Sequence, residues 1–184
     1  QQGIFYVANK LYGLTFTERT DLPKYNTDSK LFEVRDKDGS LLALFYSDYF
    51  PRDGKGAGAW CTSFRGEYYK DGERVVPIVV NCASLTPPSG DTPALQNVTN
   101  ITTQFHEFGH ALDAFMHNTH YRGIGGVERD FVEVPSQINE HWVLEPEILN
   151  VYAKHYQTGE VIPMDLVKKI QESEKYGQGF ATVE

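Results

Sequence analysis

The residues best placed to do chemistry lie between Thr102 and Leu112. His106-Glu107-Phe108-Gly109-His110 has the pattern H-E-x-x-H. On a helix, positions four apart sit one turn apart on the same face, so His106 and His110 can aim ring nitrogens at one metal ion. Glu107 falls beside that face, where a carboxylate can take a proton from a water activated at the metal. The chemistry this implies is metal-assisted hydrolysis. The same pattern also arises by chance among ordinary surface histidines, so the elements that position these residues decide its weight.

Ile101, Phe105, Phe108, Leu112 and Phe115 recur at steps of three or four, the apolar stripe of a buried helix. Asn100 or Thr102 can cap it, or it starts further back, near Pro93. A catalytic zinc of this kind takes three protein ligands and keeps one position open. The third ligand must come from a segment that folds back over the helix. Asp130 to Trp142 is the candidate, and Gly123, Gly125 and Gly126 supply the reversal before it. Asp130, Glu133, Gln137 and Glu140 follow at helical steps and form one polar face. Phe131, Ile138 and Trp142 argue that the segment is packed; a solvated face is the plain alternative.

His106 to Leu112, followed by Arg129-Asp130-Phe131-Val132-Glu133-Val134-Pro135-Ser136-Gln137-Ile138-Asn139-Glu140-His141-Trp142, closely resembles the thimet-oligopeptidase-like zinc metallopeptidases, the M3 family. Within it the match looks nearest to the bacterial peptidyl-dipeptidases, also called dipeptidyl carboxypeptidases. The likeness extends through Gly58-Ala59-Trp60, Pro77 to Asn81 and Tyr152 to Gly159, and so covers most of the chain. It implies one Zn²⁺ per chain on His106, His110 and Glu133, with Glu107 as general base. The substrates implied are short peptides, cleaved to release C-terminal dipeptides. The alternatives are internal cleavage by an oligopeptidase, or a metal-loaded peptide-binding fragment that is inactive without a missing C-terminal region. Gln137 and Glu140 are candidate acceptors for the free imidazole nitrogens. Gly58 and Ala59, with Gly56, precede a strand that a substrate backbone can join, although a flexible turn explains the same residues. The sequence departs from the family in two places: Asp113 stands where the relatives often have His, and the loop from His110 to Glu133 is slightly shorter. The family's enzymes are several times longer and carry a Gly/Tyr/His-rich loop downstream. The chain therefore reads as an internal fragment of a catalytic domain, with the remainder of the enzyme or an oligomer contact as its covering partner.

Composition sets the outer bounds. The 184 residues suffice for one domain, 1–184, and 40% hydrophobic with 13% aromatic residues fits a globular core. Net charge is −8, from 17 Lys and Arg against 25 Asp and Glu, which argues against nucleic acid or an anionic membrane as partner. No apolar run approaches a membrane span and no signal peptide is visible; a cytoplasmic protein is expected, with a periplasmic or secreted one as the alternative. Cys61 and Cys82 are expected to be free thiols. Asn97-Val98-Thr99 and Asn100-Ile101-Thr102 match the glycosylation pattern by coincidence. His117, His120, His141 and His155 read as surface or structural, and Tyr46, Tyr49 and Tyr121 are within possible reach of a site.

The expected order is a helix over 1–13 and a strand over 14–18. A hairpin of Lys30–Arg35 and Leu41–Ser47 then turns at Asp36-Lys37-Asp38-Gly39. Strands Ala59–Phe64 and Val75–Asn81 come next. The metal helix and its return segment follow, then helices at Glu145–Gln157 and Met164–Tyr176. Gly177-Gln178-Gly179-Phe180 opens a further one. That is an α+β chain: a small, mostly antiparallel sheet, then helices.

Overall fold

The computed structural model describes residues 1–121, 123–173, 175–176 and 179–180. Helix α1 (Gln2–Tyr12) leads into strands β1 (Thr15–Glu18), β2 (Lys30–Arg35), β3 (Leu41–Asp48) and β4 (Ala59–Arg65). A short hairpin of β5 (Tyr68–Lys70) and β6 (Glu73–Val75) precedes β7 (Ile78–Ala83). Helices α2 (Val98–Met116), α3 (Val134–Glu140), α4 (Pro146–Tyr152) and α5 (Met164–Ser173) follow. The α+β class and the order of sheet before helices are as the sequence implies.

The main sheet has the order β1-β2-β3-β7-β4. Its neighbours pair antiparallel except β3 and β7, which run parallel, with β4, β5 and β6 forming the crossover between them. Gly39, at φ +85°, and the bond from Gly39 N–H to Asp36 O close the β2–β3 turn. Phe32, Val34, Ala43, Phe45 and Val79 are buried on one face, against α1 and α2. Phe5 stacks on Phe16 at 4.0 Å, and Phe45 meets Phe108 and Phe115 edge-on at 5.5 Å each, so ring packing holds the helices to the sheet.

Several boundaries differ from expectation. The buried strand runs Ile78–Ala83 rather than Val75–Asn81, because Val75 pairs within the separate β5–β6 hairpin and Pro77 has no N–H to give a ladder. That hairpin turns at Asp71-Gly72, both at positive φ. The helix expected over Glu145–Gln157 stops at Tyr152; Lys154 then bridges to Val161 around Gly159, at φ +73°. Helix α2 is capped by Asn97, whose side-chain oxygen accepts the Asn100 N–H at 2.8 Å, so neither Asn100 nor Thr102 is the cap. Asp130 precedes α3 rather than sharing its face. Phe131 and Ile138 are exposed, and of the three apolar residues offered as packing that segment only Trp142 touches the core. Of the helix entry expected at Gly177–Phe180, Gly177 and Gln178 lie outside the described residues.

Cys61 pairs with Asn81 and Cys82 with Trp60, so the two cysteines point to opposite faces of the sheet, and both are free. No helix among the described residues is long and apolar enough to cross a membrane.

Candidate metal centre

Helix α2 is the central element, packed on its buried side against the sheet and on its far side against α3. The contact between the two helices is made by small and polar groups. Gly109 and Ser136 are buried, and a Cβ built on Gly109 would lie 2.6 Å from both Pro135 O and Ser136 Cα. Asn139, also buried, donates from Nδ2 to Phe105 O at 2.6 Å. The absence of a side chain at Gly109 lets α3 approach α2 backbone to backbone, and the Asn139 bond fixes its register. This is why α3 hides Ser and Asn while Ile138 faces outward.

The close approach delivers Glu133, at the start of α3, to the two histidines. Glu133 Oε2 lies 3.2 Å from His106 Nε2 and 3.2 Å from His110 Nε2. One ligand atom from each residue falls within 4.8 Å of the others, the one such group of three among the described residues. Ser136 Oγ donates to Glu133 Oε2 at 2.8 Å and to Glu133 O at 2.9 Å, which orients the carboxylate. That bond, helped by His110 and His106, holds the Glu133 carboxyl below its usual value and therefore ionised.

His106 Nδ1 lies 2.6 Å from Glu140 Oε1, about two helical turns beyond Glu133. A carboxylate at Nδ1 is the partner that, in metal sites, orients the ring and directs Nε2 to the metal. Gln137, the other candidate acceptor, is exposed and makes no side-chain hydrogen bond among the described residues. Glu107 faces the sheet side of the site. Burial pushes its carboxyl above the ordinary range, while the two imidazoles and the backbone of Cys61 in β4 pull the other way. A half-buried, raised carboxyl beside paired imidazoles is suited to accept a proton and give it up again.

Strand β4 is an edge of the sheet, beside α2, and its outer side pairs with no other strand among the described residues. Gly58, at φ +95°, has open space around it and leads into Ala59, the first residue of β4. Of the tyrosines, Tyr49 shares a cavity with Glu107; Tyr46 is bonded to Pro23 O, and Tyr121 is exposed. His117 pairs with Asp113 and His120 stacks on Tyr69, away from the histidine pair.

Two imidazoles and one carboxylate converging on a point could hold a metal ion, and a second carboxylate stands beside them. The whole chain, residues 1–184, matches the family model described as Peptidase family M3, and the chain belongs to that family. It is similar to the dipeptidyl carboxypeptidase of Salmonella typhimurium, 39% identical over 186 residues, which is 100% of this chain and 27% of the relative. The dipeptidyl carboxypeptidase of Escherichia coli is 39% identical over 181 residues, 97% of this chain and 26% of the relative. Oligopeptidase A of Escherichia coli is 36% identical over 178 residues, 95% and 26%. The chain thus spans about a quarter of the length of the curated relatives it matches.

Proposed function

We infer that this chain carries the metal-binding part of a zinc-dependent peptidase, with His106, His110 and Glu133 holding Zn²⁺ and Glu107 as general base. The observation that carries this reading is the convergence of His106 Nε2, His110 Nε2 and Glu133 Oε2 on one point. The donor set fits the ion: two imidazole nitrogens and one carboxylate held ionised are the three protein ligands that a catalytic zinc would take. When bound, zinc supplies a Lewis acid that acidifies water and polarises a peptide carbonyl. Glu107 takes the proton from the attacking water and returns it to the leaving nitrogen. Glu140 keeps the His106 ring in the orientation and tautomer that zinc needs. A peptide substrate lies alongside β4, adding its backbone to the free edge at Gly58 and Ala59.

The finer reading is release of dipeptides from the C-terminus of short peptides, supported by likeness to proteins named dipeptidyl carboxypeptidase. Internal cleavage is the second reading, favoured by the likeness to oligopeptidase A. Metal analysis with a quenched-peptide assay tests the common core. One zinc per chain and turnover abolished by Glu107→Gln with zinc retained are expected; Glu107→Gln turnover within tenfold of the parent removes Glu107 from the mechanism. Mass analysis of the products separates dipeptide release from internal cuts.

A further inference from the structure

Residues 51–58 lead into the free edge of β4 and have little to hold them. Every one but Lys55 is exposed, and three of the eight are glycines. Gly54 and Gly58 sit at φ +79° and +95° in open space. Such a stretch has many conformations to lose before Gly58 and Ala59 can stand in one place. The exception is the Lys55 side chain, which is 3% exposed. Its Nζ donates to Ala83 O at 2.7 Å, Asp48 O at 2.8 Å, Phe50 O at 2.9 Å and Asp48 Oδ1 at 3.0 Å. Three ammonium hydrogens thus serve four oxygens, three of them backbone carbonyls. A longer bond, from Ser84 Oγ to Gly56 O at 3.3 Å, reaches the same loop.

Asp48 and Ala83 are the last residues of β3 and β7, and Ala83 is the ladder partner of Ala59. We propose that Lys55 is a positioning residue for the substrate: by tying the glycine-rich loop to the ends of β3 and β7, it sets the edge of β4 at Gly58 and Ala59 before a peptide arrives to pair with it. This rests on the peptidase reading above and on its binding mode, a peptide backbone added to β4. The edge must also be placed against the base, and the backbone of Cys61, two residues beyond Ala59, hydrogen-bonds Glu107. A shift at Gly58 and Ala59 therefore shifts the peptide relative to Glu107.

Stability alone is a poor reason for this ammonium. Taking a cation and a carboxylate out of water costs about as much as their attraction returns. Asp48 also has other partners, accepting from Arg52 and from the Tyr25 hydroxyl. What Lys55 adds is direction: carbonyls from three separate residues converge on one atom, which no apolar side chain can arrange. The Arg52 side chain, by contrast, donates to the Asp48 carboxylate and to no backbone carbonyl among the described residues. The two cations thus share one carboxylate, but only one of them holds the loop.

The test uses the zinc-loaded enzyme in its native length and a peptide substrate N-methylated at one amide at a time, the scissile amide excepted. In the parent, methylation at a position that pairs with β4 should raise KM about fivefold, the size of one net hydrogen bond. Lys55→Met fills the same channel without a donor. It is expected to raise KM for the unmethylated peptide about tenfold, with kcat within about threefold and one zinc per chain, because binding must then order the edge. The N-methyl penalty should shrink to less than about twofold, since an edge left loose forms that bond less often. Arg52→Ala weakens the Asp48 network without touching the carbonyls, so it should lower Tm and leave KM and the N-methyl penalty as in the parent. The same KM rise in Arg52→Ala would make the effect one of stability and overturn the proposal. Unchanged KM or an unchanged N-methyl penalty in Lys55→Met also overturns it, and leaves the peptidase standing. If Lys55→Met does not fold, Lys55→Gln, which keeps an amide donor, is read in the same way; if neither folds, Lys55 is a structural residue and the proposal is lost. Absence of an N-methyl penalty at every position in the parent removes the strand pairing and the proposal together. Absence of hydrolysis of every peptide by the parent removes the peptidase reading itself.

Discussion

Replacing Gly109 by Ala tests whether the metal centre depends on two helices touching at one atom-sized gap. The new methyl would sit 2.6 Å from Pro135 O and Ser136 Cα, both backbone atoms that no rotamer change can move. Relief to an ordinary contact of 3.4 Å requires α3 to retreat by about 0.8 Å. Glu133 stands one residue before α3, and its Oε2 is shared between the two imidazoles at 3.2 Å each. Zinc tolerates only about 0.2 Å of error in its ligand distances, so a retreat of that size takes Glu133 out of coordination range unless the helix distorts. Ala is the better helix former by about 1 kcal/mol, but overpacking a tight backbone contact costs about 1–3 kcal/mol. The net expectation is a loss of up to about 2 kcal/mol in the apo protein, a fall of up to roughly 8 °C in Tm for a chain of this size. Zinc affinity should fall at least about tenfold, as when a ligand's support is lost. The assay is a chelator competition for zinc together with thermal melts of apo and zinc-loaded protein. Gly126→Ala, in open space within the loop before α3, is the control and should change neither. A Gly109→Ala protein that binds zinc within twofold of the parent would refute the reasoning, whatever its Tm.

Glu140→Ala should weaken zinc by about 10–100-fold by freeing the His106 ring, whereas Gln137→Ala should leave affinity within twofold; the same chelator titration reads both. Acid stability should depend on Asp48. It is buried, and bonds from Tyr25, Arg52 and Lys55 outweigh its burial and hold its carboxyl below the usual value. A depressed carboxylate contributes stability above its unfolded value, near pH 4, and loses it as pH falls through the lower folded value. Denaturant midpoints measured from pH 6 down to pH 2 should therefore fall less steeply for Asp48→Asn than for the parent, and equal slopes would count against the network.

The histidine pair and its apolar stripe were legible because both follow helical spacing within one continuous element. Spacing alone made the third ligand legible only as a segment, since the steps at Asp130, Glu133, Gln137 and Glu140 do not say which residue begins the helix; it was the family resemblance that singled out Glu133. The structure starts α3 at Val134, which leaves Asp130 outside it and makes Glu133 the hinge residue. The packing of that segment is the inverse of what its apolar residues suggest. Phe131 and Ile138 looked like its anchors, but the approach permitted by Gly109 leaves room only for Ser136 and Asn139. A glycine inside an H-E-x-x-H motif reads as filler between the histidines, and its steric role exists only once a second helix lies across it. The parallel pairing of β3 and β7 was hidden for a related reason: a buried Val- and Ile-rich run has the same composition in either direction. Asp71-Gly72, by contrast, is a readable hairpin signal, consistent with Val75 in β6 and a start of β7 past Pro77. In this chain the donor atoms are written in the sequence as residue types, but the distance between them is set by the one residue that has no side chain.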